Sequence, residues 1–314
     1  MGKGSQLMGY AKWWLLSKMG RKSPLVDTVV LFYRCNLRCR HCAIADTLAA
    51  HPERDITVSF ENAVKELKAR YEEGARIAYF EGGETTLWQD GDKDLGSLID
   101  AAHEIGYYNV GYTTNGTTGR IYTNSDVISV SLDGPKEVHD LIRGEGVYDK
   151  LMETLANLKF SGSVYANCVL QRDNLDHIEE TAKVVKDNPR LTGIIFNFLT
   201  PPPYEITPNA EERKKAVEEI ERLMKEGYPI LNSKKGLKLL AEEDWDSRCP
   251  RYISSFALPD GSQKFGCPST GTDSCKHCGY AAVREYYLIG RGNLGTIAEL
   301  SSVFAMGKEK SDDE

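Results

Sequence analysis

Six short runs of apolar and β-branched residues alternate with helix-like stretches between about residue 27 and residue 200 of this 314-residue chain. Runs that are apolar throughout are typical of strands buried on both faces of a parallel sheet, and the segments between them have the period of amphipathic helices. The predicted strands are Thr28–Tyr33, Arg76–Phe80, Tyr108–Thr113, Val127–Leu132, Ser163–Leu170 and Gly193–Leu199.

Strand–helix units in series join parallel strands through right-handed crossovers. Six units are too few to close an eight-stranded barrel. The sequence therefore predicts an α/β fold, a partial (β/α)6 TIM-like barrel with a small C-terminal cysteine-rich auxiliary domain, and places the chemistry at the C-terminal ends of the strands. Ser59 and the pair Asn174/Asp176 are predicted helix N-caps. The predicted helices are Phe60–Glu73, Leu95–Ile105, Val147–Leu158, Ile178–Lys186 and Ala210–Lys225.

The predicted barrel is flanked by segments of different composition. The N-terminal segment is basic and aromatic, and we expect it to form a short helix that caps one end of the barrel. A peripheral membrane contact is the weaker alternative, because its apolar residues do not share one helical face. The predicted boundaries are 1–24 for this segment, 25–230 for the barrel, 231–300 for the auxiliary module and 301–314 for a charged, disordered tail.

Charge and cysteine usage exclude several classes of function. A net charge of −7 argues against a nucleic-acid partner bound through a basic face. No apolar run reaches the roughly 20 residues that span a bilayer. No secretory signal is apparent, so we expect a cytoplasmic protein. Seven of the eight cysteines are clustered, which in such a protein is typical of metal binding and not of disulfides.

The first cluster, Cys35, Cys39 and Cys42, directly follows the first predicted strand with the spacing Cys-x3-Cys-x2-Cys. Three thiolates can hold three irons of a [4Fe–4S] cluster and leave the fourth iron open to a small molecule. A zinc knuckle is the alternative for three cysteines taken alone.

This spacing resembles the signature of the radical S-adenosylmethionine (radical SAM) superfamily, with His41 at the aromatic position before the last cysteine. The resemblance covers roughly residues 27–200. It implies an enzyme that reductively cleaves SAM to a 5′-deoxyadenosyl radical and abstracts hydrogen from an unidentified small-molecule, lipid or peptide substrate. It also implies a SAM-activating [4Fe–4S] cluster and a reductant such as ferredoxin or flavodoxin.

The resemblance continues in the residues that follow the second strand. In the family, a turn like Gly82-Gly83-Glu84 brings the backbone close to the methionine part of SAM and contacts its ammonium. Glycine fits a close backbone approach, and a carboxylate fits a cation. The family usually has proline next, so Thr85 is expected to loosen the turn.

Polar residues also end the next strands, where the resemblance places the ribose and amino-acid parts of SAM near Ser131 and Asp133 and the SAM carboxylate near Arg143. Singly, such residues also cap helices and form turns, and Asn167 and Asn197 are weaker candidates. The predicted cofactor-binding residues are His41, Gly82, Gly83, Glu84, Thr114, Asn115, Ser131, Asp133 and Arg143.

The second cluster comprises Cys249, Cys267, Cys275 and Cys278. A turn at residues 259–262 predicts a hairpin that brings Cys249 and Cys267 together. In isolation, four such thiols suggest structural zinc as readily as iron. The cluster resembles the twitch module, a relative of the SPASM domain, which implies a second [4Fe–4S] cluster for electron transfer.

The sequence leaves one alternative function open, and one cysteine lies outside the two clusters. A non-catalytic iron–sulfur protein, either an electron carrier or a redox sensor, is the alternative function. The remaining cysteine, Cys168, is predicted to be a buried core residue.

Overall fold

The computed structural model describes residues 3–304, in which ten strands form an eight-stranded sheet and a small separate ribbon. The predicted tail lies outside the described residues from position 305 on. The strands are β1 (Val26–Val30), β2 (Ile77–Glu81), β3 (Gln89–Asp90), β4 (Lys93–Asp94), β5 (Asn109–Thr114), β6 (Val127–Ser131), β7 (Ser163–Leu170), β8 (Gly193–Phe198), β9 (Ser254–Ala257) and β10 (Gln263–Phe265).

Helices cover the outer face of the sheet, and their apolar side chains form the main core with the outward-facing residues of the strands. The helices are α1 (Lys3–Lys18), α2 (Ala43–Ala50), α3 (Phe60–Glu73), α4 (Leu95–Ile105), α5 (Lys136–Arg143), α6 (Val147–Asn157), α7 (Ile178–Asp187), α8 (Ala210–Lys225), α9 (Lys234–Leu240), α10 (Ala281–Gly290) and α11 (Leu294–Phe304).

The strands β1, β2, β5, β6, β7 and β8 are the six predicted strands, and each lies within about three residues of its predicted bounds. They pair in parallel in that order, which confirms the α/β fold and the partial barrel. Along β7, buried residues such as Ala166 and Cys168 alternate with the half-buried Tyr165 and Asn167. One face of each strand therefore enters the core, and the other lines the lumen of the barrel.

The hairpin predicted before the last cysteines is present as β9 and β10, but it is not a separate sheet. Strand β9 pairs in parallel with β1 and extends the barrel sheet by two strands. Across this junction the hydroxyl of Ser255 donates to the buried carboxyl of Asp27 (2.8 Å). The predicted boundary at residue 230 therefore separates segments of the chain that share one sheet.

Both predicted helices start at the predicted residue, but only the N-cap at Ser59 is confirmed. The side chain of Ser59 accepts a hydrogen bond from the amide of Asn62 and caps α3. Asn174, by contrast, makes no cap, and α7 begins at Ile178. Its side-chain amide instead donates to the carbonyls of Asp133 (2.9 Å) and Val169 (3.0 Å), and so joins the ends of β6 and β7.

Helix α1 closes the end of the barrel at which the strands begin, as expected. Trp13 is buried against Leu25, Val26 and Ile253, and its indole donates to the carbonyl of Ser23 (3.0 Å). Among the described helices, none has both the length and the apolar character needed to cross a bilayer.

Candidate active site

The three thiols of the first cluster lie in the loop between β1 and α2, at the C-terminal edge of the sheet. Cys35 is exposed, and Cys39 and Cys42 are half-buried. Burial raises the pKa of the Cys39 thiol to about 11, against the opposing effect of the Arg143 guanidinium and with a further increase from Cys42. A cation already beside this sulfur fits a site that stabilises a thiolate ligand.

The backbone of Gly82 and Gly83 packs against the segment that joins β1 to Cys35 and forms the glycine cradle of the site. The amide of Gly83 donates to the carbonyl of Phe32 (2.8 Å). A Cβ atom on Gly83 would lie 1.9 Å from the carbonyl oxygen of Arg34, and one on Gly82 would lie 2.5 Å from that of Phe32. Only glycine allows this approach, which fixes the backbone directly before Cys35.

Glu84, the last residue of this turn, is fully engaged within the protein. Its carboxylate accepts hydrogen bonds from the hydroxyls of Thr86 (2.7 Å) and Thr114 (2.6 Å) and from the amide of Asn115 (2.7 Å). The side chain is buried. Glu84 fastens the glycine turn to the loop that follows β5.

Thr85 also fastens the turn, contrary to the expectation that it loosens it. The residue is buried, and its hydroxyl donates to the carbonyl of Thr113 in β5. A proline could not make this bond. The threonine therefore restrains the turn by a hydrogen bond where the family uses a rigid ring.

Asn115 connects the loop after β5 to the first thiol set. Its side-chain amide donates to the side-chain oxygen of Asn36 (3.0 Å) and lies 3.8 Å from the sulfur of Cys35. Its own oxygen accepts from the amide of Thr117 (2.9 Å), so the side chain is held at both ends. Asn115 is thus placed to orient the Cys35 loop.

Asp133 and Arg143 form a buried ion pair below the thiols. The Nε atom of Arg143 donates to Asp133 Oδ2 (2.6 Å), and the amide of Val169 donates to Oδ1 (2.9 Å). Burial opposes ionisation of Asp133, but Arg143 outweighs it and lowers the pKa of the carboxyl. With 0% exposure, Asp133 accepts from Arg143 at one oxygen and from Val169 at the other, and so orients Arg143. The Nη1 atom of Arg143 lies 3.9 Å from the sulfur of Cys39.

His41 and Ser131 lie at the same edge. Burial lowers the pKa of His41 to about 4, so the ring is neutral near pH 7. Its buried Nδ1 atom has no hydrogen-bond partner and lies 3.9 Å from a carboxylate oxygen of Asp133. Ser131 is the buried last residue of β6. An unpartnered ring nitrogen beside the thiols fits a site that receives a polar ligand.

The lumen below these residues is polar. Asn197 donates to the side-chain oxygen of Asn167 (2.7 Å) and accepts from the amide of Ala281 (2.8 Å), so the two asparagines bond to each other. Glu81, which the sequence reasoning did not single out, ends β2 on the lumen side, and burial raises the pKa of its carboxyl to about 7. Only its position at a strand end, before the glycine turn, could have indicated it.

In the second thiol set, Cys275 and Cys278 lie beside the C-terminal end of β8, and Cys249 and Cys267 flank the β9–β10 hairpin. Burial raises the pKa of Cys249 to about 12, and the neighbouring thiols Cys267, Cys278 and Cys275 raise it too. The segment after Cys278 packs on the end of β8, since the amide of Phe198 donates to the carbonyl of Gly279 (2.9 Å). A Cβ atom on Gly279 would lie 1.9 Å from the carbonyl oxygen of Phe198, so this contact requires glycine. Within the described residues, no three His, Cys, Asp or Glu side chains are grouped as ligands of a single ion.

Tyr280 lies between the two thiol sets and was also missed from the sequence. Its ring is 40% exposed, while its hydroxyl is desolvated. Desolvation raises the pKa of this hydroxyl, and the charges of Cys267, Glu81, Cys278 and Cys42 raise it further. Thiols of both sets are therefore close enough to Tyr280 to raise the pKa of its hydroxyl.

The partial parallel barrel carries three thiols in the loop after its first strand and four more in its C-terminal segment, and thiols of both groups lie near Tyr280. The family model described as the radical SAM superfamily matches residues 29–185, half of the chain, and the chain belongs to this superfamily. It is thus an enzyme whose family uses a [4Fe–4S] cluster and SAM.

Relatives of this chain include the mycofactocin maturase MftC of Mycolicibacterium smegmatis, which is 30% identical over 177 residues. That match covers 52% of this chain and 42% of the maturase, less than half of the relative's length. Among solved structures, anSMEcpe with bound AdoMet has a TM-score of 0.62 at 18% identity, covering 90% of this chain and 83% of its own. SuiB of Streptococcus suis bound to precursor peptide SuiA has a TM-score of 0.61 at 14% identity, covering 82% and 63%. These two structural likenesses concern the fold.

Proposed function

We propose that this enzyme cleaves SAM at a [4Fe–4S] cluster held by Cys35, Cys39 and Cys42 and directs the radical to a peptide substrate. The observation that carries the proposal is the convergence of three thiols, the glycine cradle and the Asp133–Arg143 pair at one edge of the barrel. An electron carrier or a redox sensor would not need the last two features, because a ligated cluster alone transfers electrons.

Several residues of the chain have distinct proposed roles at this site. Cys35, Cys39 and Cys42 would hold a cluster with one open iron, which would supply the electron that breaks a carbon–sulfur bond of SAM. Arg143, oriented by Asp133, presents a guanidinium that fits the SAM carboxylate. The Gly82–Gly83 backbone packs against the backbone of Phe32 and Arg34 and so fixes the turn beside which the methionine part would lie, and Glu84 binds that turn to Asn115. His41 offers a neutral ring nitrogen beside the thiols.

The second thiol set is proposed to hold an auxiliary [4Fe–4S] cluster that transfers electrons to or from the cleft. Four thiols suit a fully ligated cluster, and Tyr280 places them beside the same space as the first set. The division into a barrel (25–230) and an auxiliary module (231–300), a reductant such as ferredoxin or flavodoxin, and a cytoplasmic location are parts of the same proposal. Thiols that must stay reduced fit a reducing compartment.

A peptide is favoured over a lipid as substrate because the lumen carries polar side chains. Glu81, Asn167 and Asn197 line it where a lipid chain would need apolar contacts. SuiB, whose fold this chain shares, has been solved with a precursor peptide bound to it, which supports the same substrate class.

Anaerobic reconstitution with iron and sulfide, followed by dithionite and SAM, tests the proposed chemistry. We expect 5′-deoxyadenosine from the wild-type chain and none above background from Cys39→Ala. Cys168→Ala is the matched control, because Cys168 is a buried core residue that belongs to neither set, and it should keep the activity. Equal product from wild type and Cys39→Ala would refute the assignment, and no product from reconstituted wild type would favour the non-catalytic alternative.

The substrate class is tested by isotope transfer. Peptide and small-molecule fractions from cells grown in D2O are added separately to the reconstituted enzyme. A peptide substrate predicts deuterated 5′-deoxyadenosine with the peptide fraction. Deuterium transfer from the small-molecule fraction alone would overturn the peptide proposal while leaving the radical chemistry intact.

A further inference from the structure

Arg284, in α10, is a completely buried cation directly bonded to a cysteine of the second set. Its Nη1 atom lies 3.1 Å from the sulfur of Cys278, and its Nη2 atom donates to the carbonyl of the same residue (2.8 Å). The remaining donors reach the carbonyls of Leu239 (3.3 Å) and Glu242 (3.0 Å). Its guanidinium lies 4.2 Å from the centre of the Trp245 ring, and its exposure is 0%.

A second buried guanidinium supports the same peptide segment. Arg213, on α8, also has 0% exposure, and it donates to the carbonyls of Cys278 (3.1 Å) and His277 (2.7 Å). The Cys278 carbonyl therefore accepts from two arginines that come from different helices. This arrangement fixes the position of the Cys278 sulfur relative to Arg284.

The charge of Arg284 needs an anionic partner. A buried cation is tolerated when it is paired, because removal from water costs several kcal/mol. In the described part of the chain, no carboxylate forms an ion pair with Arg284. Glu242 offers Arg284 only its backbone carbonyl, since its carboxylate pairs with Arg248. Among the described residues, the only anion-forming side chain that Arg284 contacts is the Cys278 thiol.

We infer that Arg284 is a positioning residue that holds the Cys278 thiolate as a ligand and raises the reduction potential of the auxiliary cluster, an inference that rests on the cluster proposed above. Reduction adds one negative charge to an iron–sulfur cluster. A fixed cation and an N–H···S hydrogen bond stabilise that added charge, so they favour the reduced state. The auxiliary cluster is thereby tuned to accept an electron from the cleft.

The test isolates the second site in the full-length chain. Cys35, Cys39 and Cys42 are replaced by alanine, so that iron can be held only by the second thiol set. Iron and zinc are counted after anaerobic reconstitution, and the midpoint potential is measured by EPR-monitored redox titration. The measurement is repeated with Arg284→Met and Arg284→Lys added. Arg248→Met is the matched control, because Arg248 stacks on the same Trp245 ring (4.0 Å) without bonding to a cysteine.

We expect both Arg284 variants to have a more negative potential than the parent, methionine more so than lysine, which keeps the charge but not the planar fork. Arg248→Met should leave the potential unchanged. If Arg284→Met loses iron or does not fold, the shift in Arg284→Lys decides the question. An unchanged potential in an iron-loaded Arg284 variant overturns the inference. One zinc and no iron in the parent would instead refute the auxiliary cluster itself.

Discussion

At the scale of single residues, Gly83 packs tightly against the backbone of Arg34, directly before Cys35. A Cβ atom at Gly83 would lie 1.9 Å from a backbone oxygen, which no side-chain movement can relieve. We expect Gly83→Ala to displace the cysteine loop, with loss of most SAM-site iron and of 5′-deoxyadenosine production. Gly4→Ala is the control, since a Cβ there meets no atom within 4 Å. Full iron loading and activity in Gly83→Ala would show that the cradle is not required.

Loss of the buried Asp133–Arg143 ion pair is expected to lower the free energy of unfolding strongly. Asp133→Asn removes the charge partner of a buried guanidinium and should lower the free energy of unfolding by about 3 kcal/mol. Urea unfolding of the apoprotein measures it. Asp149→Asn, which breaks an exposed ion pair with Lys136, should leave the unfolding midpoint nearly unchanged. Equal effects of the two substitutions would contradict the assignment.

The buried carboxyl of Asp27 is expected to make the free energy of unfolding depend on pH. Burial raises the pKa of its carboxyl from near 3.8 to about 8, so the folded state binds a proton that the unfolded state has released. Between about pH 5 and 8 this carboxyl alone should lower the free energy of unfolding by about 1.4 kcal/mol per pH unit as the pH rises. Asp27→Asn removes this contribution, so the variant should lose less stability than wild type up to pH 8. Parallel pH profiles would exclude a protonated Asp27.

At the scale of elements, helix α1 packs on the closed end of the barrel through Trp13, with Tyr10 and Trp14 beside it. Trp13 fills a small cluster with Leu25 and Ile253, and Trp13→Ala should cost about 3 kcal/mol or more because it leaves a cavity. Leu15→Ala, on the exposed face of the same helix, is the matched control and should change the unfolding free energy little. Calorimetry or urea unfolding compares them. A small effect at Trp13 would mean that α1 is only loosely docked.

Elements with a local signal could be predicted from the sequence, and contacts between distant segments could not. Strand β7 matches its prediction to the residue because a buried parallel strand is apolar along its whole length. The turn predicts the hairpin, but nothing near residue 254 indicates that β9 pairs with β1, at the other end of the chain. Asn174 has the composition of a helix cap, yet it joins two strand ends.

At the scale of the whole molecule, the sequence identified the thiols but not the residues that relate the two sets. Cysteine spacing is a strong local pattern, so all seven ligand candidates could be named. Tyr280 and Arg284 gave no such pattern, because a tyrosine and an arginine in a helical segment are usually partly exposed. Their roles follow from the docking of α10 against β8, which places one beside the cleft and the other beside Cys278.

Because different segments of the chain carry the two thiol sets, we expect two clusters that can be removed separately. Reconstituted wild type should hold about eight irons per chain, and about four should remain when either Cys35, Cys39 and Cys42 or the four cysteines of the second set are replaced by alanine. The sets are carried by different segments, so each cluster should persist without the other. Iron and zinc analysis with EPR distinguishes the two clusters, and Cys168→Ala should keep all eight irons. One zinc beside four irons in the wild type would identify the second set as structural, and loss of all iron on removal of either set would show that the sites assemble together.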